Sequence, residues 1–167
     1  GAGISTSTGI PDYRSGAKTV LPTGPGCWTK LADIQKAKAL GHKVIARPKV
    51  DFRTTIQKAI PSPSHMALVE LMNRGMLKHV ISQNIDGLHR KSGIPKDKIS
   101  EVHGNTNLEL CRKCGKDYMR DFRVRTAQKV HDHNTGRLCD DPNCRGKLYD
   151  TIINFNECLR DEDLETG

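Results

Sequence analysis

Four of the chain's six cysteines fall in two close pairs, Cys111-x2-Cys114 and Cys139-x4-Cys144, with 24 residues between the pairs. Two short turns, each carrying two thiolates, suit a tetrahedral zinc ion with bonds of about 2.3 Å. Two unrelated pairs, or a disulfide, are the other readings of the same spacing. Four sulfur ligands leave no open coordination position, so a zinc ion held by them would be structural and not catalytic. Cys27 and Cys158 stand apart and are expected to remain free. The pairing suits a reducing compartment, where thiols persist.

The chain also holds seven histidines. His103 is singled out by its setting, Glu101-Val102-His103-Gly104, at the expected end of a short strand. Imidazole ordinarily titrates near physiological pH and could serve there as a general base. A satisfied structural histidine is the plainer reading, and it is the one given to His65 and His79. Gln83-Asn84-Ile85-Asp86 directly follows an apolar run. Its amides and carboxylate could hold ribose hydroxyls and a carboxamide, or simply form an Asx-type turn. Gly1-Ala2-Gly3-Ile4-Ser5 could cradle a phosphate, since glycine lets the backbone approach a pyrophosphate closely. An ordinary turn fits as well, because Thr6 stands where the dinucleotide fingerprint has its third glycine.

These groups need elements to position them. Residues 1–16 are small, polar and turn-rich, and 15–26 continue the loop. Trp28, Leu31 and Ile34 recur at helical spacing, with Gly41 as the stop. Ser64 is expected to cap a second helix whose apolar side is Met66, Leu68, Val69, Leu71 and Met72, and Gly75 to end it. Leu77, Val80 and Ile81 then form a short strand, and 147–155 form a second candidate. Helix, strand and polar loop in that order point to an α/β sheet, where ligands bind at the carboxyl ends of strands. The expected division is an α/β part at 1–106 and 149–167, with a zinc-binding module inserted at 107–148.

Hydrophobic residues make up 35% of the chain and aromatics 4%, so any core is small and mainly aliphatic. The net charge of +8 favours acidic partners, nucleic acid or a nucleosome surface among them. A solvated basic face would carry the same charge. Residues 111–130 hold seven Lys/Arg against two Asp. No run approaches the roughly 20 apolar residues of a membrane span. No signal peptide is visible, and the sequence opens at Gly1 without a methionine.

Taken together and in order, GAGIS, GIPDYR, SQNIDGLH, EVHGN and CxxC…CxxxxC resemble the sirtuin family. Trp28 after the PDYR loop, SHMALVEL, QNIDGLHRKSG and NTGRLC are similar to its class IV branch, whose members are nuclear and chromatin-associated. The resemblance runs from Gly1 to about Leu164 and is weaker over 15–60. It implies a Rossmann-like parallel sheet with a smaller zinc-binding module. It also implies that Ala2, Gly3 and Thr6 line the pyrophosphate side of NAD. Asp12, Tyr13 and Arg14 would lie over the cofactor, with Trp28 near its nicotinamide end. Gln83 and Asn84 would contact the nicotinamide ribose, and Asp86 the carboxamide. His103 and Asn84 would be the catalytic pair, His103 as general base on a ribose hydroxyl.

The implied activity is removal of acyl groups from protein lysines, with histone tails as the substrate class. Nicotinamide leaves, the acyl-lysine amide oxygen attacks the ribose carbon, and His103 helps a ribose hydroxyl take over the acyl group. Mono-ADP-ribosyl transfer and a catalytically silent chromatin-binding module are the alternatives on the same scaffold. Ser15 stands where the branch usually has glycine, and 15–26 are longer than usual. The family's Phe-Gly-Glu is Phe155-Asn156-Glu157 here. A strand before Gly1 and a second Rossmann half do not occur in these residues, so an incomplete sheet and poor NAD binding are expected of the 167 residues alone.

Overall fold

The computed structural model describes residues 1–42, 56–126, 129 and 131–160. It divides into two units, Gly1–Met66 and Ala67–Gly167. Part of the 15–60 stretch, and the end of the resemblance near Leu164, lie outside the described residues.

In the first unit the expected opening loop winds into two consecutive 3-10 turns, Ala2–Ile4 and Thr6–Thr8. The Thr6 and Thr8 hydroxyls donate to the carbonyls of Gly3 and Ser5 at 3.1 and 2.6 Å, tying each turn to the residues before it. Helix α1 runs Cys27–Ala39. It stops as expected at Gly41, whose left-handed backbone (φ +71°) suits glycine. The apolar stripe is present but open: Trp28, Leu31 and Ile34 are 39%, 53% and 39% exposed.

Helix α2 spans Pro63–Asn73, starting two residues before the expected position. The cap is Ser62 and not Ser64: its Oγ accepts the His65 amide at 3.3 Å. Proline follows at the first helical position, where its missing N–H would have had no partner. In the second unit Leu68, Val69, Met72 and Leu77 pack on the buried Val80, Ile94 and Ile99. Leu71, assigned to the same face by its spacing, stays partly exposed. Gly75 closes the helix, its amide bonded to the Met72 carbonyl at 2.9 Å.

Strands β1 (Val80–Ser82) and β2 (Ile99–Glu101) run parallel, with Val80 opposite Ile99 and Ser82 opposite Glu101. Short helix α3 (Leu88–Lys91) lies on the connection between them. Parallel neighbours require such a crossover, and the pair supplies the parallel sheet of the expected α/β class. Four further strands form an antiparallel sheet: β3 (Leu108–Cys111), β4 (Asp117–Met119), β5 (Asn134–Leu138) and β6 (Lys147–Asp150), in the order β4-β3-β6-β5. The strand expected from residue 147 is β6, and its partners are β3 and β5. The core of this sheet is Cys111, Tyr118, Cys139 and Leu148, with Cys144 packed against it. Beside it the fully buried Glu109 is held between Arg120 and Arg137, each Nε donating at 2.8 Å.

One glycine fixes how β6 leaves the sheet. Gly104 has φ +80°, and a Cβ there would stand 1.8 Å from the Thr151 carbonyl oxygen. We therefore expect Gly104→Ala to cost on the order of 3–5 kcal/mol in chemical denaturation of the metal-loaded protein. Gly75→Ala has a similar φ but space around it, and should cost only about 1 kcal/mol. Equal losses for the two would mean that the contact with Thr151 is not tight.

Candidate active site and metal centre

Two polar segments leave the carboxyl ends of β1 and β2 and run side by side. The Val102 amide donates to the Ser82 carbonyl at 3.1 Å, and the Thr106 amide to the Ile85 carbonyl at 2.9 Å. Between these bonds, Nδ1 of His103 lies 3.1 Å from the Gln83 carbonyl oxygen. A carbonyl can only accept, so Nδ1 carries the proton in that bond and the neutral ring keeps its lone pair on Nε2. Behind the ring, the Ile153 amide donates to the His103 carbonyl at 3.1 Å. The ends of the parallel strands, the place α/β sheets use for ligands, therefore carry an imidazole oriented by one ring bond, on a backbone braced by another.

Of the other residues singled out here, Gln83 is exposed, Asn84 is half-buried and Asp86 is buried. The Asn84 amide donates to Ser82 Oγ at 3.1 Å. Asp86 Oδ1 accepts the Leu88 amide at 2.9 Å, so the Asx-type turn is present and opens α3.

Spacing did not reveal what holds this loop from below. Asn105, fully buried, donates from Nδ2 to Glu101 Oε1 at 2.8 Å and accepts the Asn107 amide on Oδ1 at 2.9 Å. Its own amide donates to Thr151 Oγ1 at 3.1 Å. Arg90 stands 3.9 Å from the buried Glu101 carboxylate. A buried charge needs such partners, and a glutamate directly after Ile99-Ser100 at the end of a short strand was the available signal.

The first unit carries the remaining candidates. Gly1 and Gly3 have open space where a side chain would stand, which leaves the backbone beside the half-buried Ala2 accessible. Thr6 is buried. The 12–15 segment is docked on the start of α1: the Cys27 and Trp28 amides donate to the Asp12 and Tyr13 carbonyls, each at 2.9 Å. Gly26 makes this possible, since a Cβ there would stand 2.3 Å from the Arg14 amide nitrogen. The Tyr13 and Trp28 rings lie 4.9 Å apart, and the Arg14 guanidinium sits 5.2 Å over Trp28. Ser15 is also accounted for: its hydroxyl donates to the Asp12 carboxylate at 2.5 Å. Asn156, the other departure, has φ +68°, and asparagine is among the residues that best replace glycine in that region.

The four paired cysteines converge. All four sulfurs lie within 4.8 Å of one another. Sγ of Cys111 and Cys144 are 3.6 Å apart, and Sγ of Cys114 and Cys139 are 3.7 Å apart. A disulfide is excluded at those separations, since its bond is about 2.05 Å. A tetrahedron with zinc–sulfur bonds of about 2.3 Å has edges of about 3.8 Å, so the cluster could hold zinc with little movement. Burial pushes the Cys111 thiol up, but the backbone amides of Cys114 and Lys113 and the Cys114 and Cys144 thiols outweigh it and hold it at about 7. The Lys116 amide favours the Cys114 thiolate, but its Cys144 neighbour and burial push it up to about 12. Tyr118 fixes the rim, its hydroxyl donating to Asp140 at 2.6 Å.

Purified protein should therefore carry one zinc per chain, unchanged in Cys27→Ser and Cys158→Ser and lost in Cys111→Ser. Strong chelation should unfold the antiparallel sheet, because metal binding energy of about 10–16 kcal/mol acts as folding energy in so small a unit. Metal lost from either outlying variant would overturn the assignment.

Comparison with known proteins accords with these motifs. The Sir2 family pattern matches residues 1–166. The chain is 42% identical to the NAD-dependent protein deacetylase SRT1 of Arabidopsis thaliana, over 99% of this chain and 30% of that protein. It is 39% identical to the NAD-dependent protein deacetylase sirtuin-7 of Homo sapiens, over 94% of this chain and 34% of that one. It is 38% identical to the NAD-dependent protein deacetylase Sirt6 of Drosophila melanogaster, over 100% of this chain and 47% of that one. The sirtuin-7 likeness fits the class IV branch. Among solved structures, a Sir2–p53 peptide–NAD+ complex matches 98% of this chain and 60% of its own, with a TM-score of 0.54 and 28% identity. A Sir2 bound to acetylated peptide matches the same shares with a TM-score of 0.52 and 26% identity. The chain thus spans between 30% and 47% of the length of these curated relatives. It belongs to the Sir2 family of sirtuins.

Proposed function

We propose that the whole protein is an NAD-dependent protein-lysine deacylase of the nucleus, acting on histone tails. The observation that carries this reading is the imidazole of His103, oriented by the Gln83 carbonyl at the carboxyl ends of two parallel strands. The deacetylase names of the relatives and the NAD and acetylated peptide held by the matching Sir2 structures support it. Histone tails and the nucleus rest on the class IV resemblance. In this reading residues 1–106 and 149–167 are the Rossmann-like part and 107–148 the zinc module.

NAD, when bound, would supply an electrophilic ribose carbon with nicotinamide as its leaving group. Ala2, Gly3 and Thr6 would offer backbone and hydroxyl groups to the pyrophosphate, and Asp12, Tyr13, Arg14 and Trp28 would cover the cofactor. Gln83 and Asn84 would bind the nicotinamide ribose, and Asp86 the carboxamide. His103 would accept a hydroxyl proton on Nε2, because its Nδ1 proton is committed to Gln83. A structural zinc on Cys111, Cys114, Cys139 and Cys144 would take no part in the chemistry.

Contact with DNA through residues 112–129 finds less support. Lys116 is paired with Asp140 at 2.8 Å, Arg120 with Glu109 at 2.8 Å, and Arg112 stacks 4.1 Å over Tyr149.

Nicotinamide release by the full-length protein separates the readings. Release that requires acyl peptide supports deacylation, release with label transferred to an acceptor protein supports mono-ADP-ribosyl transfer, and no release leaves a silent module. His103→Ala should lower deacylation by about 10²–10⁴-fold with zinc content unchanged. Near-normal turnover in that variant would show that another group is the base.

A further inference from the structure

Glu157 gathers donors from three directions. It accepts the Asn154 amide at 2.6 Å and Asn154 Nδ2 at 2.9 and 3.0 Å, closing the 154–157 turn. It also meets Nε2 of His133 at 2.9 Å and Nδ1 of His131 at 2.7 Å. His133, just before β5, reaches Asp150 Oδ1 with its other nitrogen at 3.0 Å. One ring thus bridges the end of β6 and the turn beyond it. The ring is 13% exposed, Asp150 1% and Glu157 15%, so water does little of this work. The charged and titratable groups facing the ring are Asp150, Glu157, His131 and Arg125, the last 3.7 Å from Asp150 Oδ1 and 3.3 Å from Asn154 Oδ1.

Ionised carboxylates only accept hydrogen bonds. Both ring nitrogens can therefore donate at once only when the ring is an imidazolium. In the neutral ring one nitrogen presents a lone pair to a carboxylate, and one of the two links is lost.

We propose that His133 is a positioning residue, a proton-held clip that fixes the Asn154–Glu157 turn and with it the exposed Phe155 for an acyl-lysine peptide. The peptide half of this statement rests on the deacylase reading above. The turn's left-handed Asn156 backbone and the exposure of Phe155 describe a segment with little burial of its own to hold it.

The direction of titration agrees. Burial opposes charge on His133, but the Asp150 and Glu157 carboxylates outweigh it and raise the ring above its ordinary 6.5. Burial likewise pushes Glu157 up, yet the Asn154 amide and the His133 ring hold it at about 2. For a base whose folded pKa is raised, the stabilisation is complete below the unfolded value and disappears as pH rises through the folded one. The clip is therefore closed in mild acid and opens on the alkaline side.

Amide exchange on the full-length, zinc-loaded protein tests it, with rates corrected for the intrinsic effect of pH. Protection of the Asn154 and Glu157 amides should fall about tenfold between about pH 6 and about pH 9. In His133→Gln it should be low throughout and show no step, and Glu157→Gln should behave alike. A flat wild-type profile, or a step that survives in His133→Gln, would overturn the clip. Zinc content reports whether each variant is folded, and if a variant loses its metal the wild-type profile still decides. The KM for acyl peptide should rise with the same step in the wild type and show no step in His133→Gln. A step in protection without one in KM keeps the clip and removes the turn from peptide binding.

Discussion

Four thiols occupy the place where the antiparallel sheet would otherwise need a hydrophobic core. Cys111 and Cys139 are fully buried, and among the described residues Tyr118 and Leu148 complete the cluster around them. Without a metal such a cluster offers little apolar area and four groups that compete for protons. With one, a single tetrahedron ties the end of β3 and the turn after it to the turn between β5 and β6, adding to the strand pairing. The low aromatic and hydrophobic content of the chain is tolerable because part of its cohesion comes from coordination rather than burial.

That constraint reaches the candidate base through one continuous stretch of backbone. β6 pairs with β3, and β3 ends in Cys111. Directly after β6, Thr151 bonds Asn105 on both its amide and its carbonyl, and Ile153 bonds the His103 carbonyl. The loop bearing His103 is therefore braced on one side by the parallel strand pair and on the other by the strand leaving the metal-bearing sheet. A metal on the four cysteines would therefore brace the backbone against which the imidazole is fixed without touching the ring itself.

The legible parts were those written in local spacing. The cysteine pairs, the glycine stops at Gly41 and Gly75, and the polar segment after the first strand depend on neighbours within a few residues, and each is found. The start of α2 was misplaced because Ser62 and Ser64 are both good caps, and the deciding fact is Pro63 at the first helical position. The stripe on α1 was visible, but a periodicity names a face without naming what covers it. The buttress under His103 and the bridge from His133 to Glu157 were not legible, for their partners are 4 to 46 residues apart and meet only once the strands pair. Buried polar networks carry no periodic signature in sequence.

The net charge shows the same limit from another side. A chain at +8 with seven basic residues in a run of twenty reads as an acid-seeking surface. In the folded second unit Arg112, Lys113, Lys116, Arg123 and Lys129 stay exposed, while Arg120 and Arg125 are half-buried against carboxylates. Arg120 joins Arg137 in neutralising the buried Glu109, and Arg125 approaches Asp150. Lys113 donates to the Cys144 carbonyl at 2.7 Å, beside the metal ligands. A sheet that buries carboxylates and gathers four thiolates needs cations close by, since unpaired anions in a weakly polar interior are far costlier than exposed ones. The arginines beside Glu109 and Asp150 thus follow from what the module buries, before any acidic partner is considered.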